Sequence, residues 1–132
     1  MKIPRGRFGL EKESLRITYA GRLAQPDAPF AGFDHVTRDF CENQTEINTG
    51  VHDGAEDAVG ELVSHHRRLQ AALAALPERE LLWPFSNPPF IENEDDIPIA
   101  RYNGDETAKR KYREHLADRY GRHLMTFSGV HV

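Results

Sequence analysis

Glu11 and Glu13 stand one residue apart in Phe8-Gly9-Leu10-Glu11-Lys12-Glu13-Ser14-Leu15-Arg16-Ile17. The stretch reads as a strand over 8–17, and successive side chains of a strand point to opposite faces. Glu11 and Glu13 then share one face, a pleat apart, with Lys12 on the other. Neighbouring carboxylates repel unless a shared proton or a cation intervenes. A divalent, oxygen-preferring metal is the usual cation. Two solvated surface glutamates are the plain alternative, because exposed Glu is common.

A second stretch, Asp39-Phe40-Cys41-Glu42-Asn43-Gln44-Thr45-Glu46-Ile47-Asn48-Thr49, shifts that balance. As a strand over 39–49 it puts Phe40, Glu42, Gln44, Glu46 and Asn48 on one face. Cys41, Asn43, Thr45 and Ile47 take the other. Neither face is an apolar stripe, so the strand fits the wall of a polar site better than core packing. Two such strands side by side converge four carboxylates, and a buried cluster of that charge needs metal.

These strands need elements to hold them. Thr18 to Leu23 fits a turn at Gly21 into a short second strand. Gln25 to Gly32 reads as a loop from its Pro and Gly content. The clearest helix covers 53–76, with Asp53 and Glu56 at capping-box spacing. Its stripe is Ala55, Val59, Leu62, Val63, His66, Leu69, Leu73 and Leu76, and Pro77 ends it. This helix is expected on the apolar side of the sheet, leaving the polar side for chemistry. His65 and His66 diverge by about 100° around the helix and do not chelate together. One is expected at the buried edge and the other exposed, and His35 reads as a surface or loop residue.

Glu80 to Phe85 reads as a short strand ending at Pro84. The loop over 86–98 gathers Glu92, Glu94, Asp95 and Asp96, without the Gly and terminal Glu of an EF-hand loop. It reads as a solvated acidic loop. A second helix over 107–120, capped by Asp105 or Thr107, carries Ala108, Tyr112, Leu116 and Tyr120 on one face and closes at Gly121. Leu124 to Val132 alternates as a strand, with Met125, Phe127, Gly129 and His131 sharing a face.

A chain of 132 residues fits one domain. At 39% hydrophobic and 29% charged residues, its core is modest. The net charge is −4, without a basic stripe, which speaks against nucleic-acid binding. No run approaches the ~18 apolar residues of a membrane span, and Met1 to Arg7 lacks the apolar centre of a signal peptide. The single cysteine, Cys41, excludes an internal disulfide and fits a reducing cytoplasm. It reads as a packed small hydrophobe.

Six segments in order, FGLEKESLRI, DFCENQTEINT, LWPFSNPPFI, DDIPIARY, YREHLADRYG and MTFSGVHV, resemble the N-terminal part of glutamate–cysteine ligase, also called γ-glutamylcysteine synthetase. The family includes bacterial forms fused to glutathione synthetase. Each segment alone is a weak signal; six in order over 8–132 are specific. The resemblance implies an α+β fold: part of a curved antiparallel sheet like the glutamine synthetase catalytic funnel, with helices on the outer face. It implies ATP-dependent joining of the glutamate γ-carboxyl to the cysteine amine through γ-glutamyl phosphate, in the cytoplasm. The implied cofactor is Mg2+, with Mn2+ as the alternative. The implied partners are L-glutamate, L-cysteine and ATP, with no nucleic acid and no membrane.

The same resemblance ranks the site residues. Glu11, Glu13, Glu46 and His131 are the firmest metal ligands, Asp39 is a second choice, and Glu42 supports them. Tyr112 and Arg113 are implied to bind the incoming cysteine, where the guanidinium fork suits a carboxylate. The alternative for Arg113 is a salt bridge along its helix, with Glu106 or another acid. No residue is assigned a covalent role, because phosphoryl transfer asks mainly for charge neutralisation. The sequence stops within the strand-like run Ser128 to Val132, where family members continue. The chain is therefore expected to be an N-terminal fragment, 1–132, of the catalytic domain, truncated at its C-terminus and active only in a full-length parent. A related carboxylate–amine ligase taking another amine, or a non-catalytic remnant, are the rival expectations.

Overall fold

The computed structural model describes residues 6–25, 27–30, 32–101 and 107–132. Asp105 and Glu106, named above as a cap and a salt-bridge partner on the second helix, lie outside them. The architecture is α+β: a five-stranded antiparallel sheet and two helices. In chain order the elements are β1 (Glu11–Thr18), β2 (Val36–Arg38), β3 (Gln44–Asn48), α1 (Ala55–Ala74), β4 (Glu80–Leu82), α2 (Thr107–Tyr120) and β5 (Val130–His131).

β1 is the centre of the sheet. One of its edges pairs with β3, which pairs in turn with β2. Its other edge is divided. β4 pairs with Arg16, Ile17 and Thr18, and β5 with Glu11 and Lys12. The strand expected over 39–49 begins only at Gln44. The Gln44 N–H donates to the Cys41 carbonyl at 3.0 Å, closing a turn that breaks the alternation before the strand. That turn removes Glu42 from the face of Glu46. The strand expected over 124–132 shrinks to Val130–His131, because His123–Thr126 coils into a single 3₁₀ turn. Thr126 Oγ1 donates to the His123 carbonyl at 2.7 Å and holds that turn.

Two apolar clusters lie on the two faces. α1 lays Leu69 and Leu73, with Leu62 and Leu76 beside them, against Val36, Ile47 and Leu82. The expected helical stripe is rotated: Ala58 is buried, whereas Val59 is 50% and Val63 38% exposed. The N-cap is Gly54 with no side-chain cap; Asp53 instead meets Arg7 at 3.3 Å. His65 and His66 are both half-buried, in place of one buried-edge and one exposed ring. On the other face Leu15 and Ile17 pack with Phe40, Cys41 and Ile97, and α2 joins them through Leu116 and Ala117. α1 is thus the outer cover, and α2 lies on the same side as the acidic face of β1. Burial pushes the Cys41 thiol far above its ordinary range, which suits its packed position.

Arg16 points into the α1 side with no exposed surface. Its Nη1 meets Glu80 Oε2 at 2.8 Å, and Glu80 is equally enclosed. This pair bridges β1 and β4 diagonally across their ladder, where Arg16 is opposite Leu82 and Glu80 opposite Thr18. An ion pair in such a place holds register, since losing either partner strands a buried charge.

Candidate metal centre

The strand registers build the site. Glu13 on β1 lies directly opposite Glu46 on β3, and Glu46 lies opposite Thr37 on β2. One row further along, Glu11 sits between Asn48 and His131. Directly opposed residues bring their Cβ atoms to about 4.5–5.5 Å. Asp39 follows β2 two residues after Thr37 and turns back onto the same face. Carboxylate oxygens of Glu13, Asp39 and Glu46 consequently lie within 4.8 Å of one another, all three half-buried. Glu11 does not join this trio. It pairs with His131, whose Nδ1 is 3.5 Å from Glu11 Oε2.

The five sequence-named ligands therefore form a trio and an adjoining pair. They are electrically connected. Burial raises the Glu13 carboxyl above its ordinary value, the Gly129 hydrogen bond and His131 oppose that rise, and Asp39 and Glu46 reinforce it. Burial likewise raises Asp39, with Arg113 lowering it and Glu46 raising it. Three half-buried carboxylates thus face one another, with Arg113 and His131 offsetting part of their mutual repulsion. Clustered oxygen donors of this kind could hold a hard divalent cation.

Gly129 makes room for the histidine. A side chain there would put its Cβ 2.6 Å from His131 Nε2 and 3.8 Å from Glu13 Oε2. The bare backbone lets the imidazole lie over the strand beside Glu13. The Gly129 N–H donates to Glu13 Oε2 at 2.8 Å, and the Glu13 N–H donates to the Gly129 carbonyl at 3.0 Å. Around the trio, Asn48 Nδ2 donates to Glu46 Oε1 at 2.9 Å.

Glu42 lies elsewhere. Its carboxylate is buried and accepts from Arg38 Nη1 at 2.8 Å, the Arg101 N–H at 2.9 Å and the Ala28 N–H at 3.3 Å. It ties two loops to the β2–β3 hairpin and takes no place beside the trio. Arg113 reaches the site from α2. Its Nε donates to the Asp39 carbonyl at 2.6 Å, and its Nη2 stands 3.7 Å from Asp39 Oδ1. It therefore couples α2 to the acidic wall; it also touches the Lys109 carbonyl at 3.4 Å. Tyr112 is exposed on the same helix. Sequence reasoning missed Thr37, Asn48 and Gly129 as framing residues. Only the Ser-Gly-Val-His run hinted at the last.

The geometry meets its counterparts in known proteins. The model of the family described as glutamate-cysteine ligase matches residues 2–132. The glutathione biosynthesis bifunctional protein of Listeria innocua is 43% identical over 131 residues, covering 96% of this chain and 16% of that protein. The glutamate–cysteine ligase of Clostridium acetobutylicum is 38% identical, covering 96% of this chain and 27% of that protein. Among solved structures, the Francisella tularensis glutamate–cysteine ligase in complex with AMP superposes with a TM-score of 0.78 at 33% identity, over 94% of this chain and 25% of that one. The chain thus spans roughly a sixth to a quarter of the length of these relatives. On the family match and the shared fold together, this chain belongs to the glutamate–cysteine ligase family.

Proposed function

We propose that this chain supplies the acidic wall of a ligase site that joins the glutamate γ-carboxyl to the cysteine amine at the expense of ATP. The observation that supports this reading best is the convergence of Glu13, Asp39 and Glu46 on one sheet face, in a chain whose relatives are named for this ligation. In the proposed reaction the γ-carboxylate takes the terminal phosphoryl group of ATP, and the cysteine amine then displaces phosphate from the acyl phosphate. A relative crystallised with AMP supports a nucleotide in this fold.

The donor set fits Mg2+ or Mn2+: clustered carboxylate oxygens with a histidine at the margin. Glu13, Asp39 and Glu46 would hold one ion, and Glu11 with His131 would contribute beside them. Such an ion, when bound, neutralises phosphate charge during transfer. The chain's own residues do the rest. Asn48 and Gly129 aim the carboxylates, and Arg113 fixes Asp39 while presenting α2 toward the amine substrate. Because the chain covers only part of its relatives' length, turnover is proposed for a full-length ligase carrying this segment and not for the segment alone.

The test is Glu46→Gln in such a full-length ligase. Shape is kept and charge removed, so the fold persists while activity falls by orders of magnitude and more magnesium is needed for half-maximal rate. Unchanged activity with an unchanged magnesium requirement would remove Glu46 from the metal set.

A further inference from the structure

A second group of ligating side chains lies apart from the acidic wall, where the first turns of α1 cross the end of the β2–β3 hairpin. Glu61 and His65 are four residues apart on α1 and so project from the same helical face. His65 Nε2 is 3.2 Å from Glu61 Oε1. His35, just before β2, stacks its ring on His65, with centroids 4.6 Å apart and planes inclined by 29°. The His35 carbonyl accepts the Asn48 N–H at 2.9 Å, which anchors that backbone to β3. His52, from the loop between β3 and α1, is hydrogen-bonded through Nε2 to Glu61 Oε2, and the same oxygen takes the Gly50 N–H at 3.0 Å.

Ligand atoms of His35, Glu61 and His65 all lie within 4.8 Å of one another. Two imidazoles and a carboxylate are a recurrent ligand set for zinc and other first-row transition ions. It differs in kind from the all-oxygen trio on the acidic wall. Glu61 is already set for such a role. Its side chain is one-quarter exposed, and two backbone and side-chain donors fix its Oε2 while Oε1 faces His65. Three separate stretches of chain meet here, and an ion would fasten α1 to the hairpin.

We propose that His35, Glu61 and His65 form a second, nitrogen-containing site for a transition-series divalent cation of the Zn2+ class, with His52 orienting Glu61.

The experiment is calorimetric titration of the 132-residue chain with Zn2+, paralleled by Co2+ absorption spectroscopy. A saturable equivalent lost with the histidines of this site is expected, separate from any equivalent that the acidic wall takes up, with visible Co2+ bands of a four- or five-coordinate nitrogen–oxygen site. His65→Ala and His35→Ala should each weaken binding at least tenfold. His52→Ala should weaken it about tenfold, as losing an orienting partner does. Glu46→Gln on the acidic wall should leave it unchanged, so failure here is separable from failure of the ligase reading. Circular dichroism checks each variant's fold. If a variant does not fold, imidazole NMR of the wild type replaces it: Zn2+ must move the His35 and His65 resonances first. Absence of saturable binding, binding indifferent to His65→Ala, or shifts confined to His115, His123 and His131 would overturn the proposal.

Discussion

Glu13 carries more constraint than any other acid in the wall. It is half-buried, opposed by Glu46 and Asp39, and bonded to Gly129. In metal-free protein its charge costs stability. Glu13→Gln keeps an oxygen for the Gly129 N–H and removes the repulsion, so the melting temperature measured in chelator should rise. Added magnesium should then stabilise the wild type but not the variant. Arg113 offers a second residue-level test. Lys cannot reproduce the fork that meets both the Asp39 carbonyl and its carboxylate. If Arg113 also selects the amine substrate, Arg113→Lys in a full-length ligase raises the cysteine KM roughly ten- to a hundredfold, the worth of a charge-assisted hydrogen bond. The KM values for ATP and glutamate then stay nearly constant. A defect shared by all three substrates, with a lowered melting temperature, would mean that the side chain only docks α2. The acids themselves were legible from alternation along two strands. Their division into a trio and a pair was not, because it depends on register and on the turn at 41–44.

At the scale of elements, α1 and α2 were readable because apolar spacing and flanking Pro77 and Gly121 are local signals. α2 has the expected bounds, Thr107–Tyr120. The rotation of α1's stripe was not readable, since Val59 and Val63 resemble core residues until the sheet chooses a side. The consequence is measurable by urea denaturation. Leu69→Ala and Leu73→Ala, both fully enclosed, should each cost about 2–5 kcal/mol. Val59→Ala, on the exposed face, should stay within about 0.5 kcal/mol. β2 escaped notice because three residues between His35 and Asp39 carry no period of their own. β5 was overestimated because the run Leu124 to Val132 alternates equally well while its first half coils.

For the whole molecule, Glu42 is the acid that gathers distant segments. Burial would raise its carboxyl, but the Arg101 N–H, Arg38 and the Ala28 N–H together hold it below its ordinary value. A carboxyl lowered in the folded state contributes stability above its unfolded value, near pH 4.5. That stability is lost as pH falls toward the folded value. Glu42→Gln should therefore lower stability by roughly 1.5–3 kcal/mol at pH 7. The gap from wild type should close in acid below about the ordinary glutamate range, as followed by urea midpoints against pH. A gap independent of pH would mean that shape, and not charge, makes this latch.

The double attachment of Glu13 to Gly129 has a thermodynamic consequence. One residue grips Gly129, the residue that leads into β5, with its backbone N–H and with its carboxylate. The same carboxylate faces the place proposed for the cation. Whatever a cation does to the ordering of β5, the ordering of β5 must do in equal measure to the cation's affinity, since coupling between two binding events is reciprocal. Two residues of strand can thereby act as a sensor of ion occupancy, and amide exchange at Gly129 and Val130 would read it out without any substrate present.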